Sequence, residues 1–380
     1  MREKVKVLFV VSEFYQAGTQ RFTYEVDRAI NRDQFEVNIL CLLPLSHNPA
    51  WEDHYFTKHA ELGTQIFFLE DIARPFVPSI GQRIQRKLLG KPFPHEQQSL
   101  HQFLDSYDVI SFWGEYNYPV LSRKMTPQQK AKSLIHIMNS RHQTNTLYKD
   151  FDKNEVPHFV SGFKDDEVAY ELAEFKNYRH SFLALSLHID DSGIQWSYRH
   201  TDKPRIGVFT RITSHKPLDP FIYAFHELLN EVPHAELHIF GTGDPQKEGV
   251  TKYIRHLELG DRVKFRGHQE DIKKTAINEK LSLVWFHGYY GVPGGFAGFD
   301  ICSIGVPQLF WNFGNTTDGS IEGFPMYSNI NAFAKRTLEI INDGEEAQKL
   351  SHIQYQYICE VRNVRKCITA IESLYLTFKS

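Results

Sequence analysis

Arg211 and Lys216 share one short loop, Arg211-Ile212-Thr213-Ser214-His215-Lys216, directly after a strand-like run from Arg205 to Phe209. Two permanent cations in a strand-to-helix loop can flank a diphosphate, the guanidinium as a fork and the ammonium as a point charge. They would also stabilise negative charge building on a departing nucleoside diphosphate. The competing interpretation is a solvated loop carrying two ordinary surface residues.

Three further stretches have residue types suited to the same ligand. Gly291-Val292-Pro293-Gly294-Gly295-Phe296-Ala297-Gly298-Phe299-Asp300 places four glycines in eight positions and ends in a carboxylate. Such a stretch offers backbone N–H groups to an anion, and Asp300 could accept hydrogen bonds from ribose hydroxyls. Asp300 could equally be the cap of a following helix. Gln16-Ala17-Gly18-Thr19 puts a glycine just before a helix, where backbone amides and the helix terminus favour a phosphate; a plain turn is the alternative. Asn139-Ser140-Arg141-His142 follows a strand-like run at Ser133 to Met138 and could supply a polar contact to substrate. His136, inside that run, reads as a core histidine.

These loops need a scaffold that gathers strand ends. Val5 to Val11 is a short apolar run suited to a strand buried on both faces, and Phe22, Val26, Ala29 and Ile30 then recur at helical spacing. Further strand-like runs fall at Phe35 to Leu42, Gln65 to Leu69, Asp108 to Trp113 and Ser133 to Met138. The pattern restarts at Arg205 to Phe209. It continues through Ala235 to Phe240, Val263 to Phe265, Leu281 to Phe286 and Pro307 to Trp311, and the end from Ala332 to Phe378 reads as helical. Strands alternating with helices predict parallel, doubly wound sheets, which bind ligands beyond the carboxyl ends of their strands. The chain length of 380 residues favours two such domains, divided between about Leu187 and Lys203.

Composition excludes several classes. A net charge of -3 argues against a protein that coats nucleic acid. The four cysteines show neither metal-ligand nor secreted-disulfide spacing, and with no apparent signal peptide or membrane-length apolar run a cytoplasmic protein is expected. No His/Cys cluster with ligand spacing implies a metal. Arg83, Arg86, Lys87 and Lys91 interleave with Ile84, Leu88 and Leu89 over Ile80 to Phe93. That stretch could touch the inner face of an anionic membrane as a peripheral contact, or be an ordinary surface helix.

The residues together resemble the large retaining glycosyltransferase group called family 4, the glycosyl transferases group 1. Ile206-Gly207-Val208-Phe209-Thr210-Arg211 with Lys216 is similar to its diphosphate-holding strand and cations. Phe240-Gly241-Thr242-Gly243-Asp244-Pro245 resembles its glycine turn, and Leu259 to His268 resembles the segment leading to its base pocket. Asp300 to Pro307 looks like the helix and turn that open with a ribose-binding Glu, and Val5 to Arg21 looks like the opening strand and glycine loop. Two departures stand out. Asp300 takes the place of the second of two family glutamates, while the first place falls on Val292, seven residues intervening. The place of a first-domain histidine falls on Met138 or Asn139, with His142 nearby.

The resemblance implies a GT-B fold of two Rossmann-like domains facing a central cleft. Residues 1–190 would be an acceptor domain, 191–362 a nucleotide-sugar domain, and 363–380 a helix packing back on the first. It implies a retaining, metal-independent, hexosyltransferase-type enzyme that moves a sugar from a nucleoside diphosphate sugar to a glycan or lipid-linked acceptor. UDP stands ahead of GDP as the donor, and no cofactor is required. Arg211, Lys216, His142 and Asn139 would serve catalysis. Gly18, Thr19, Gly241, Gly267, His268, Gly294, Gly295 and Asp300 would join the two cations in holding the donor. Loss of the first glutamate keeps two alternatives open: a non-catalytic binding or assembly subunit, and a sugar-nucleotide epimerase.

Overall fold

The structure, a computed structural model, describes residues 3–47, 51–72, 95–141, 145–289, 292–313 and 323–379. The chain forms two compact units, Met1–His188 with Val364–Ser380, and Ile189–Asn363.

In the first unit, β1 (Val5–Val11), β2 (Phe35–Cys41), β3 (Gln65–Phe68), β4 (Val109–Trp113), β5 (Ser133–His136), β6 (His158–Ser161) and β7 (Arg179–Phe182) form a sheet of order β3-β2-β1-β4-β5-β6-β7. Its pairings are parallel. β1 is buried over nearly its whole length, which explains its continuous apolar sequence. The helix Gly18–Ala29 turns Phe22 and Val26 to the core. Beside it lies the helix Val364–Leu376, whose fully buried Tyr375 approaches Phe9 and Phe35 at ring centroid distances of 6.4 and 6.1 Å. The Tyr375 hydroxyl reaches the Ser111 Oγ at 3.1 Å. The opposite core gathers Leu8, Ile110, Phe112, Ile135 and Phe159 with Tyr148 and Leu104.

In the second unit, β8 (Arg205–Phe209), β9 (Glu236–Phe240), β10 (Val263–Gly267), β11 (Leu283–Tyr289), β12 (Val292–Pro293), β13 (Gln308–Asn312) and β14 (Met326–Tyr327) make a sheet of order β10-β9-β8-β11-β13-β14. Among the described strands of this sheet only β12 is antiparallel, pairing with β11 through Gly288↔Pro293 and Tyr289↔Val292. Phe221 and Phe225 of the helix Asp219–Leu228 pack with Val208, Ile239, Trp285 and Phe333. Each such aromatic side chain, fully buried, contributes about 2–3 kcal/mol of transfer free energy. Three helices close the chain: Ile330–Asn342, Gly344–Val361 and Val364–Leu376. Among the described residues no helix is long and apolar enough to cross a membrane.

Two strands, β6 and β7, escape a periodicity reading. They are four residues long and carry His158, Ser161, Arg179, His180 and Ser181 in place of an apolar run. Cross-strand bonds hold them instead: His158 Nε2 with Ser181 Oγ at 2.9 Å, and His180 Nε2 with Ser161 Oγ at 2.8 Å. β5 ends at His136, two residues short of the expected Met138, and Leu69 starts a helical turn where a strand end was expected.

Candidate functional site

Each sheet reverses its strand order once, between β1 and β4 in the first unit and between β8 and β11 in the second. Loops leaving two neighbouring strands in opposite directions open a crevice there.

Arg211 lies two residues beyond β8 and is exposed, while Lys216 is partly buried. The Lys216 amide donates to the Thr213 carbonyl at 2.9 Å, which closes the turn between the two cations. Burial, and then the neighbouring Arg211 charge, push the Lys216 ammonium below its ordinary pKa. Among the described residues neither cation has a carboxylate partner. Two like charges held together without a counter-charge form a locus that an anion would stabilise.

Three loops are stitched into one frame around them. The Ile212 amide donates to the Thr242 carbonyl at 2.7 Å, and the Gly241 amide to the Gly267 carbonyl at 2.8 Å. Gly241 has φ 147°, and a Cβ there would drive into the Thr210 carbonyl oxygen. Only a bare backbone can lie this close to the Arg211 loop. Gly241 therefore sets the position of that loop, Gly267 holds Gly241 through its carbonyl, and His268 follows as an exposed side chain.

From the other wall, His287 on β11 donates through Nε2 to the Pro217 carbonyl at 2.8 Å. The imidazole is 4 % exposed. Burial lowers its pKa to about 4, with the Lys216 charge assisting and the Pro217 bond opposing. β11 then leads into the helix Gly295–Cys302, whose N-cap Gly294 has φ 67° and would place a Cβ 3.0 Å from the Phe286 ring. Gly295, at the first helical position, has open space where a side chain would stand. Asp300 is 9 % exposed and inside that helix, so the cap interpretation does not hold: the helix starts five residues earlier.

In the first unit Gly18 is the exposed first residue of its helix, with Thr19 next to it, rather than the residue before it. Ala17, the N-cap, supplies no side-chain bond. Asn139 follows β5, and its Nδ2 donates to the Glu115 Oε1 at 2.6 Å. His142 and the 80–93 stretch lie outside the described residues. His136 is a core group: it stacks on Trp113 at 3.8 Å between ring centroids, bonds Ser111 Oγ at 2.9 Å, and burial takes its pKa down to about 3.

Three residues were missed from sequence: Glu115, Glu171 and His287. Glu115 stands two residues past β4, so the strand-end rule would have reached it had the β1/β4 reversal been known. His287 sits within a strand, with no local signal that it reaches a neighbouring loop.

The fold class these two sheets define is GT-B, two parallel-sheet Rossmann-like α/β domains. Solved structures similar to this chain include Anabaena HepE in complex with UDP and glucose (15% identity, TM-score 0.68, 99% of this chain and 100% of that one). A mutant of S. aureus TarM in complex with fondaparinux, alpha-GlcNAc-glycerol and UDP is also similar (11% identity, TM-score 0.69, 98% and 99%). So is the apo form of the lipopolysaccharide outer core galactosyltransferase WaaB (13% identity, TM-score 0.64, 99% and 100%). Residues 193–357 match the family model of glycosyl transferases group 1. No curated protein matches the chain by sequence.

Proposed function

We propose that this protein is a glycosyltransferase that moves a sugar from a nucleoside diphosphate sugar to a hydroxyl of a glycan or lipid-linked acceptor. The observation that carries this reading is the Arg211–Lys216 pair, two cations without an acidic partner among the described residues, at the order reversal of the second unit's sheet. They would hold the diphosphate and stabilise the charge it gains as the anomeric C–O bond breaks and the acceptor oxygen bonds the anomeric carbon, its proton passing to the departing phosphate. Asp300 would take the ribose, and Gly294 and Gly295 would let backbone N–H groups approach the phosphates. Gly241, Gly267 and His268 would border the base, and Gly18 and Thr19 would join in holding the donor. Asn139, with His142 beside it in sequence, would orient the sugar. Neighbours solved with UDP or UDP and glucose support UDP as the donor nucleotide. Retention, independence from metal and a peripheral membrane contact at 80–93 complete the proposal.

The test is thermal stabilisation of the purified protein by UDP, GDP and ADP, with Arg211→Ala alongside. A shift with UDP that the variant loses supports the reading; full transfer activity in Arg211→Ala would sink it. A second reading, a non-catalytic binding subunit, draws on Val292 at the place of the first family glutamate. It predicts UDP binding with no consumption of any UDP-sugar.

A further inference from the structure

The loop that follows β5 is held by two buried carboxylates from different elements. Glu115, fully buried just past β4, accepts from the Met138 amide at 2.9 Å through Oε2 and from Asn139 Nδ2 at 2.6 Å through Oε1. Glu171, 2 % exposed, accepts from Ser140 Oγ at 2.5 Å and from the Arg141 amide at 3.0 and 2.7 Å. Four successive residues are thereby anchored, in a loop where water or substrate would otherwise be the partner.

The Glu115 contact has a chemical consequence. A carboxylate only accepts, whereas a carboxamide has a donor face and an acceptor face. Burial raises the pKa of Glu115, and the hydrogen bonds from Asn139 and Met138 oppose that rise. With both oxygens accepting, the Asn139 amide turns its NH2 to Glu115, where the flipped rotamer would set two oxygens against each other. Its Oδ1 is left facing away from Glu115. Asn139 is partly exposed, and among the described residues its Oδ1 has no hydrogen-bond partner. It stands at the carboxyl end of a central strand, where open α/β sheets bind ligands.

We infer that Glu115 is a positioning residue that fixes the polarity of Asn139, so that Asn139 presents an acceptor oxygen to the transferred sugar and takes a hydrogen bond from one of its hydroxyls. This rests on the nucleotide-sugar reading given above. It narrows the group facing Asn139 to a donor: a sugar hydroxyl fits, whereas a phosphate or carboxylate oxygen would meet the Asn139 oxygen unfavourably. Glu115 touches no substrate and acts only through the amide it orients. In Glu115→Gln the one remaining acceptor oxygen is claimed by the Met138 amide, so the Gln NH2 faces Asn139 and turns its amide over.

The experiment is calorimetric titration of the full chain with UDP and with UDP-glucose, UDP-galactose and UDP-GlcNAc. It compares wild type, Glu115→Gln, Asn139→Ala and the double variant. Affinity for UDP stays level in all four proteins. Affinity for the best-bound UDP-sugar falls about tenfold in each single variant, as expected for one lost hydrogen bond with its partner left unpaired. The double variant binds no more weakly than Asn139→Ala, because Glu115 acts through that side chain. Wild-type affinity in Glu115→Gln, additive losses in the double variant, or a parallel fall for UDP and UDP-sugar would each overturn the inference. Should Glu115→Gln fail to fold, singly deoxygenated UDP-sugars decide. One position must cost the wild type about tenfold and cost Asn139→Ala nothing; equal costs in both overturn it. A wild type that binds no UDP would defeat the proposed function, and this inference with it.

Discussion

The Nε2 of His287 donates to the carbonyl oxygen of Pro217 at 2.8 Å, tying a strand at one wall of the second unit's crevice to the turn that ends in Lys216 on the other. A carbonyl cannot donate, so the proton sits on Nε2, and the ring must stay neutral or be a fully buried cation beside Lys216.

Neutral burial makes the fold acid-sensitive in a defined window. The folded pKa of His287 is lowered to about 4 and that of His136 to about 3, against an ordinary value of 6.5. Between those values the unfolded chain binds more protons than the folded one, so stability falls as pH drops. Each group contributes a slope of about 1.4 kcal/mol per pH unit at most. Urea midpoints should therefore be level between pH 7 and 8 and decline from pH 6.5 towards 4. His287→Gln, which keeps a donor for Pro217, should flatten part of that decline. An unchanged slope in the variant would remove His287 as a cause.

The two unpaired cations should oppose folding while serving binding. Arg211→Ala relieves repulsion on Lys216, so the free protein should melt at the same temperature or slightly higher. Affinity for UDP should fall about a hundredfold, the cost of losing a charge-assisted diphosphate contact of roughly 2–3 kcal/mol. A variant that melts lower and binds UDP normally would show that Arg211 is a structural group.

Gly241→Ala and Gly267→Ala separate a packing glycine from a merely permissive one. At Gly241 a Cβ meets the Thr210 carbonyl, and the backbone cannot yield without moving the Arg211 loop. A loss of more than about 3 kcal/mol is expected there, from overpacking added to an unfavourable φ. Gly267 has φ 68° but open space around it, so its substitution should cost about 1 kcal/mol. Equal costs in chemical denaturation would contradict the packing argument.

The helix Val364–Leu376 belongs to the core of the first unit. Besides the Tyr375 contacts, Glu372 accepts from the Asn31 amide at 2.7 Å, and the Val364 amide donates to the Leu187 carbonyl at 2.9 Å. Tyr375→Phe should cost about 1 kcal/mol through the lost Ser111 bond. A chain ending at residue 363 should lose the cooperative unfolding of the first unit in calorimetry and bind apolar dyes. An unaltered thermogram would show that the helix is dispensable.

Much of this protein was legible from local sequence. β1 and β8 are apolar runs that can only be buried, and the terminal helices have the required spacing. Arg211 and Lys216 fall in the loop that leaves β8, a strand that periodicity alone locates. β6 and β7 were not legible, because polar side chains that bond one another leave no alternation to read.

Sequence by itself determined the alternation of strands and helices, hence parallel sheets, and the charges and glycines at their carboxyl ends, since these depend on residues close in the chain. Tertiary structure decided which loops share a crevice, because strand order is set by packing between segments up to a hundred residues apart. It alone brought Glu115 to Asn139, His287 to Pro217 and Gly241 to Thr210. Each of these contacts depends on the register of neighbouring strands, and no local pattern encodes that register.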